Sequence, residues 1–426
     1  MFGITIPKNT KEAYELDKIN GNKKWEEAID KEMSALDKLQ CFEYHEPTFK
    51  PSKNYQFAPL RLIFTIKKED LRHKARLVIG GHVIDATQFN SYASTLQSVS
   101  LRLLLTIAHA NQLSIATGDI GNAFVHADCQ ELVYSRAGPE FGRREGCVVI
   151  VKKALYGLVT SPRQWHECLA DTLRSMGFLP SRADADLWYI KSVHHNGYDY
   201  IGTHIDDLII AAKHPHQYMT MIEQEFIVRN IQDSPSSYLG LDFTIRNNTV
   251  QISTKTYTTE VLKRYEAKYG TLKKENIPMS PNVRPELDAS ALLHTDGITH
   301  YQHVIGISQW LVTSGRFDIA FAVSSLSRFS CAPREGHLDL AKKLFGYLKR
   351  FPKKGYFVNA KSPIVTTKYE DIRQDFGNQY DYFTEEMDPR FPIPLLQELP
   401  ITIFVDADHG HDKTSGRSIT GLFSFI

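Results

Sequence analysis

The sequence predicts a mixed α and β (α+β) chain of more than one domain. Three observations lead there. At 426 residues the chain is too long for one compact core. Several windows carry apolar residues at helical spacing, and others carry short apolar runs with the punctuation of hairpins.

In chain order, residues 24–39 place Trp25, Ala28, Ile29, Met33, Leu36 and Leu39 on one helical stripe. Between Gln56 and Val83 two apolar runs flank a basic segment, so strands joined by a basic loop are expected. Ser98–Gln112 reads as a second helix. It feeds an apolar strand, LSIATGDI, that ends near Asp119. Ser161–Met176 reads as a third helix, with Ser161 as its cap, Pro162 at its first position and Gly177 after its last turn. Asn196-Gly197 suits a tight turn between two further strands. The second of these, YDYIGTHI, runs into Asp206-Asp207, and LIIAA leads away. YLGLDFTIRNNTVQIS predicts another hairpin turning at Asn247-Asn248. Beyond Lys255 helices dominate, residues 358–400 read as an irregular linker, and the last 26 residues read as two strands around a polar turn.

Composition narrows the function classes. With 42% hydrophobic and 23% charged residues the chain is a globular type. No uncharged apolar run approaches the roughly 20 residues of a membrane span, so no membrane partner is expected. The five cysteines form no CxxC pair, which speaks against a thiolate zinc site or a disulfide framework and fits an intracellular setting. Net charge is only +1, but bases are grouped. Ala341–Gly355 carries six Lys or Arg and no acid, and Lys67–Arg76 carries five with His73 against two acids. Such runs can neutralise phosphates, the plain alternative being a solvated helix face.

Asp119, Asp206 and Asp207 stand where acids are costly, beside apolar strands, and two adjacent carboxylates repel unless a cation compensates. Side by side in one sheet, Asp119 and Asp206 can share a pair of Mg²⁺ ions (Mn²⁺ as a substitute) of the kind that drives in-line phosphoryl transfer. Taken singly, either feature is usually a turn or a cap.

Five segments in order resemble the polymerase domain of copia-type retrotransposon reverse transcriptases from about Lys24 onward: KARLVIGGHVID (74–85), GDIGNAFVHA (118–127), KKALYGLVTSPRQW (152–165), HIDDL (204–208) and GRFDIAFAVSSLSRF (315–329). The resemblance implies a right-hand polymerase with fingers and a ferredoxin-like palm over 1–235, a primer-grip hairpin and thumb over 236–330, a connection over 331–400 and the start of a ribonuclease H-like domain over 401–426. It implies RNA- and DNA-directed DNA polymerisation with Asp119, Asp206 and Asp207 as metal-binding catalytic residues, the alternative being a catalytically inactive nucleic-acid-binding remnant of a retrotransposon polyprotein. Lys67, Lys74, Arg76, Phe124, Tyr156 and Gly157 are implied for the deoxynucleoside triphosphate, with Phe124 excluding a 2′-hydroxyl and Gly157 letting backbone approach the ligand. Ile205, Leu239 and Gly240 are implied for primer and template. His204 departs from the commoner tyrosine, and Ile205 is expected to preserve apolar packing. Arg163 and Trp165 are expected to orient and pack the helix that follows. Asp406 matches the first ribonuclease H carboxylate. Since the other carboxylates of that domain are not found, hybrid cleavage by this chain alone is not expected. His409, His411 and Asp412 read as a polar turn. Implied partners are an RNA template, a DNA or tRNA-type primer and other polyprotein products such as integrase and capsid. The implied location is cytoplasmic virus-like particles, with possible nuclear passage.

Overall fold

The computed structural model describes residues 4–67, 71–246, 249–358, 392–393, 395 and 402–425. The turn expected at Asn247-Asn248 and nearly all of the expected linker lie outside the described residues. The chain divides into two compact units, Met1–Ser100 with Ala116–Ile190 and Asp199–Asp233, and Leu101–Ile115 with Lys191–Tyr198 and Ser234–Ile426. No described helix is long and apolar enough to cross a membrane.

In the first unit, α1 (Thr10–Asn20) is capped by Asn9, whose side chain accepts the Glu12 N–H at 2.9 Å. Asp17 of α1 then accepts the Trp25 and Glu26 N–H groups, each at 2.9 Å, and so starts α2 (Lys24–Lys38). The predicted apolar stripe is the buried face of α2: Trp25, Ile29 and Leu36 enter one core. A small sheet combines β1 (Phe42–His45), β2 (Gln56–Phe57), β6 (Val133–Arg136) and β7 (Val148–Val151) in the order β1-β7-β6-β2. Against α2 lies a seven-pair hairpin of β3 (Leu60–Ile66) and β4 (His73–Ile79). Its period-two pattern buries Leu62, Phe64, Ile66, Ala75, Leu77 and Ile79. The alternate residues Lys74 and Arg76 therefore leave on the opposite face.

Between α3 (Ser98–Ala110) and the end of this unit comes a second sheet: β5 (Ser114–Ile120), β8 (Leu179–Pro180), β9 (Leu187–Lys191), β10 (Tyr198–His204), β11 (Asp207–Ala212) and β12 (Val228–Asp233), in the order β12-β5-β11-β10-β9-β8. With α4 (Ser161–Ser175) and α5 (Pro215–Glu223) it contains a β-α-β-β-α-β core, β5-α4-β10-β11-α5-β12. This is the ferredoxin-like arrangement the resemblance implied. Its core joins Trp165, Leu169 and Leu173 of α4 and Met219 and Ile222 of α5 to Ile201, Leu208 and Ile210 of the sheet.

Two local expectations are corrected. Ser161 is the first residue of α4 rather than its cap, because its buried hydroxyl is committed to the Leu155 carbonyl at 2.6 Å. The buried N–H at that end faces a distant buried acid instead: Glu131 accepts Thr160 N–H at 3.4 Å and the Gln164 side-chain amide at 3.0 Å. Asn196-Gly197 forms no two-residue turn. The loop 192–197 is closed by Ser192 N–H to Gly197 O at 2.9 Å, and neither Asn196 nor Gly197 takes the positive φ that such a turn needs.

In the second unit, α6 (Lys255–Tyr269), α7 (Thr295–Thr313), α8 (Ala320–Ser327) and α9 (Glu335–Arg350) share one core around Tyr301, Leu311, Leu344 and Phe345. The helix at 335–350 thus packs with the helices before it, across the boundary expected at 330. A sheet of β13 (Ser237–Tyr238), β14 (Leu241–Arg246), β15 (Thr249–Ser253) and β16 (Gly355–Val358) runs in chain order. The terminal hairpin pairs β17 (Thr402–Asp408) with β18 (Ile419–Phe425) over seven positions.

Candidate active site

The site is assembled at the ends of β5, β10 and β11. His204 pairs with Asp207, leaving Ile205 and Asp206 as a two-residue turn at the tip of an apolar hairpin. Ile205 takes φ 59°, unusual for a β-branched residue. Two contacts over-determine this turn. The Asp206 carbonyl accepts the Ile120 N–H at 2.7 Å, tying the tip to β5 immediately after Asp119. The Ile205 carbonyl accepts the Trp165 indole N–H at 2.7 Å, tying the tip to α4. Trp165, read from sequence as a packing residue, is also an anchor of the acidic turn. Ile205 itself does not pack as expected: at 44% exposure its side chain stands at the open tip, where the left-handed backbone turns it outward.

These contacts bring Asp119, Asp206 and Asp207 together, with one carboxylate oxygen from each lying within 4.8 Å of the others. The group carries the electrostatic strain expected of clustered acids. Burial and then the neighbouring Asp206 and Asp119 push Asp207 up to about 6. Burial and Asp206 also raise Asp119, against the pull of Lys67, Arg229 and Lys74. All three donors are hard oxygens and the cluster is short of positive charge, which suits Mg²⁺ or Mn²⁺.

The bases come from the β3-β4 hairpin. Arg76 lays its guanidinium 4.1 Å over the Tyr156 ring, and Tyr156 lies 4.6 Å from Phe124. Phe124 sits on a short 3₁₀ turn after left-handed Asn122 (φ 56°), half-buried against the sheet core. It is therefore both a core aromatic and part of an aromatic floor that continues under Arg76. Burial and the nearby Arg76 and Lys67 charges lower Lys74, which also feels Asp119.

The floor is held by a chain crossing. Ile79 N–H donates to Tyr156 O at 2.8 Å, and Val78 bridges Tyr156. Gly157 takes φ 107°, and a Cβ there would fall 2.0 Å from the Ile79 carbonyl oxygen. Gly157 thus has a use within the protein itself: it lets its own chain segment pass close to the Ile79 backbone.

Two residues escaped the sequence reading. Arg229 on β12 faces Asp119 across the sheet and lies against Gly121, where a Cβ would come 2.6 Å from its guanidinium carbon. Glu32 of α2 accepts the Leu77 N–H at 3.1 Å and is raised by burial, while Arg76, Lys74 and Arg229 pull it down. It lies behind the basic hairpin as a fixed counter-charge. Neither has a local signal, since each depends on pairing between distant elements.

Other predicted residues lie on other elements. Leu239 (φ 48°) and Gly240 (φ 77°) form a tight turn in the second unit between β13 and β14, with Gly240 close to Trp310. Asp406 is exposed on β17 opposite Gly421 and joins no cluster of three metal-ligating side chains among the described residues. Arg163 pairs with Glu167 on the surface of α4. In the terminal turn His411 meets Asp408 at 2.6 Å, while Asp412 pairs with Arg328 at 2.7 Å and accepts the Thr414 and Ser415 N–H groups.

The sequence model of a family described as reverse transcriptase (RNA-dependent DNA polymerase) matches residues 48–281, more than half of the chain. The retrovirus-related Pol polyprotein from transposon RE1 of Arabidopsis thaliana is 28% identical over 374 residues, covering 85% of this chain and 25% of that protein. A putative transposon Ty5-1 protein of Saccharomyces cerevisiae is 28% identical over 313 residues, covering 71% of this chain and 88% of that protein. A solved foamy viral protease–reverse transcriptase in complex with double-stranded DNA matches 76% of this chain and 48% of its own, at 13% identity and a TM-score of 0.38, too slight a likeness to bear on the fold. The chain spans about a quarter of the RE1 polyprotein's length.

Proposed function

From the membership of this chain in the reverse transcriptase (RNA-dependent DNA polymerase) family, copia type, we propose that it is a template-directed DNA polymerase. It would extend a primer 3′-hydroxyl with deoxynucleoside triphosphates on an RNA or DNA template. The observation that carries this reading is the meeting of Asp119, Asp206 and Asp207 within 4.8 Å.

Those three carboxylates would hold two Mg²⁺ ions, which when bound activate the attacking hydroxyl and stabilise the leaving pyrophosphate. The protein's own part is positioning and charge. Arg76 is pre-oriented by its stack on Tyr156, so its fork meets a phosphate without first losing side-chain freedom. Lys74 and Lys67 add charge beside Asp119. Phe124 and Tyr156, whose rings meet at 4.6 Å, would supply the floor under the incoming sugar and base, Phe124 being the residue that would exclude a 2′-hydroxyl. Trp165 and Ile120 keep the acidic turn from relaxing as charge builds. Ile205 and the Leu239-Gly240 turn are assigned to primer and template contact.

Primer extension on poly-A with oligo-dT and labelled thymidine triphosphate tests the proposal. Mg²⁺-dependent extension that vanishes in Asp206→Asn is expected. Extension surviving that substitution, or nucleic-acid binding with no extension by the unaltered chain, would sink it.

A further inference from the structure

The basic run at 341–355 is only partly absorbed by the fold. Lys349 is committed to Glu266 at 2.7 Å and to the Leu272 carbonyl at 3.0 Å. Lys354 donates to the Tyr347 hydroxyl at 2.8 Å and lies 4.8 Å over Phe351. Arg350 and Lys353 are exposed, as is Lys274 from another part of the same unit, and among the described residues none of the three has an ion-pair partner. All five cations line one open groove of about 820 Å³.

The groove's one acid offers little resistance to a polyanion. Asp318 is gripped by Arg316 through two contacts of 2.9 Å and by the Tyr347 hydroxyl at 2.8 Å. An aromatic face stands among the bases. Phe357 lines the groove and is 65% exposed, while Phe317 beside it already packs on Tyr356 and Phe423. Phe357 projects from β16, an edge strand among the described residues, while its neighbour Val358 is buried. Lysines alone would suit any polyanion. An exposed ring among unpaired cations suits a strand whose bases are free to stack, and a duplex offers no such faces along its length.

We propose that this groove holds a single-stranded stretch of nucleic acid, with phosphates on Lys274, Arg350 and Lys353 and a base stacked on Phe357. The site is separate from the three carboxylates and does not rest on their chemistry.

The test uses the full chain carrying Asp206→Asn, so that failure of polymerisation and failure of this site are read separately. Binding of a 5′-fluorescein 12-mer of oligo-U and of a 12-base-pair duplex is followed by anisotropy over a salt series. Phe357→Ala is expected to weaken the single strand roughly tenfold, the scale of one lost stack, with little effect on the duplex and no change in salt slope. Phe357→Tyr is expected to keep binding. Lys353→Glu is expected to lower the single-strand salt slope by about 0.7. Equal losses on strand and duplex, or none on either, overturn the proposal. A second measurement does not depend on variants folding: ultraviolet crosslinking of 5-bromouracil oligonucleotide to the Asp206→Asn chain, mapped by mass spectrometry. A crosslink on the peptides holding Phe317 or Phe357 supports the site, and crosslinks confined to other peptides refute it.

Discussion

Removing one acid from the carboxylate cluster should stabilise the metal-free protein while destroying its activity. Asp207 is held at about 6 rather than 3.8 by burial and by the two other carboxylates. At 1.36 kcal/mol for each tenfold change in acidity, that represents roughly 3 kcal/mol against the ionised form. Because the side chain is only partly buried, screening by solvent reduces this to about 1–2 kcal/mol. The sign follows from proton binding. With its native pKa raised, Asp207 binds its proton more tightly in the folded state, so its penalty is absent below about pH 3, grows between 3.8 and about 6, and levels off above that. By pH 8 it is fully present. Asp207→Asn removes it. At about 2–4 °C per kcal/mol for a domain of this size, the variant should melt some 2–8 °C higher at pH 8 in EDTA, and at the same temperature as the unaltered chain at about pH 3. Added Mg²⁺ should close or reverse the gap, because the intact site alone gains binding energy. Thermal melts followed by circular dichroism at both pH values, with and without Mg²⁺, decide the matter. An Asn variant that melts no higher at pH 8, or whose advantage is independent of pH, would show that the three acids are not in electrostatic conflict.

Three further outcomes follow from the same geometry. Gly157→Ala forces a Cβ onto the Ile79 carbonyl at a φ of 107° and should cost about 3 kcal/mol or more, read as a lower urea midpoint; an unchanged midpoint would mean that the crossing is not needed. Trp165→Phe keeps most of the packing but removes the donor to Ile205 O, so about 1–3 kcal/mol of stability should go. Turnover should fall more than nucleotide affinity in the same variant, and unaltered turnover would argue against an anchoring role. Arg76→Lys keeps the charge but loses the fork and the stack on Tyr156, and KM for the nucleotide should rise about tenfold; an unchanged KM would show that charge alone suffices there.

Much of the fold was legible because the relevant forces repeat over a few residues. The helix of 24–38 follows from an apolar stripe that must be buried, whereas Lys74 and Arg76, expected in a basic loop, lie on β4 (His73–Ile79) between residues that enter the core. The acidic hairpin was readable from two aspartates between apolar runs, but its turn falls one residue earlier than expected, on Ile205-Asp206, with Asp207 already on β11 opposite His204. Local rules failed where a remote group supplied a better partner. Ser161 turned to the Leu155 carbonyl instead of capping its helix, and Glu131, thirty residues upstream, faces that helix end instead.

The sequence by itself thus determined which residues carry charge and which elements present them. Only the tertiary structure decided that Arg229 faces Asp119, that Trp165 holds the Ile205 carbonyl, and that Gly157 is required by Ile79. Strand order and hydrogen bonds between distant segments create those relations. Their energy depends on distances in space, which no periodicity along the chain encodes.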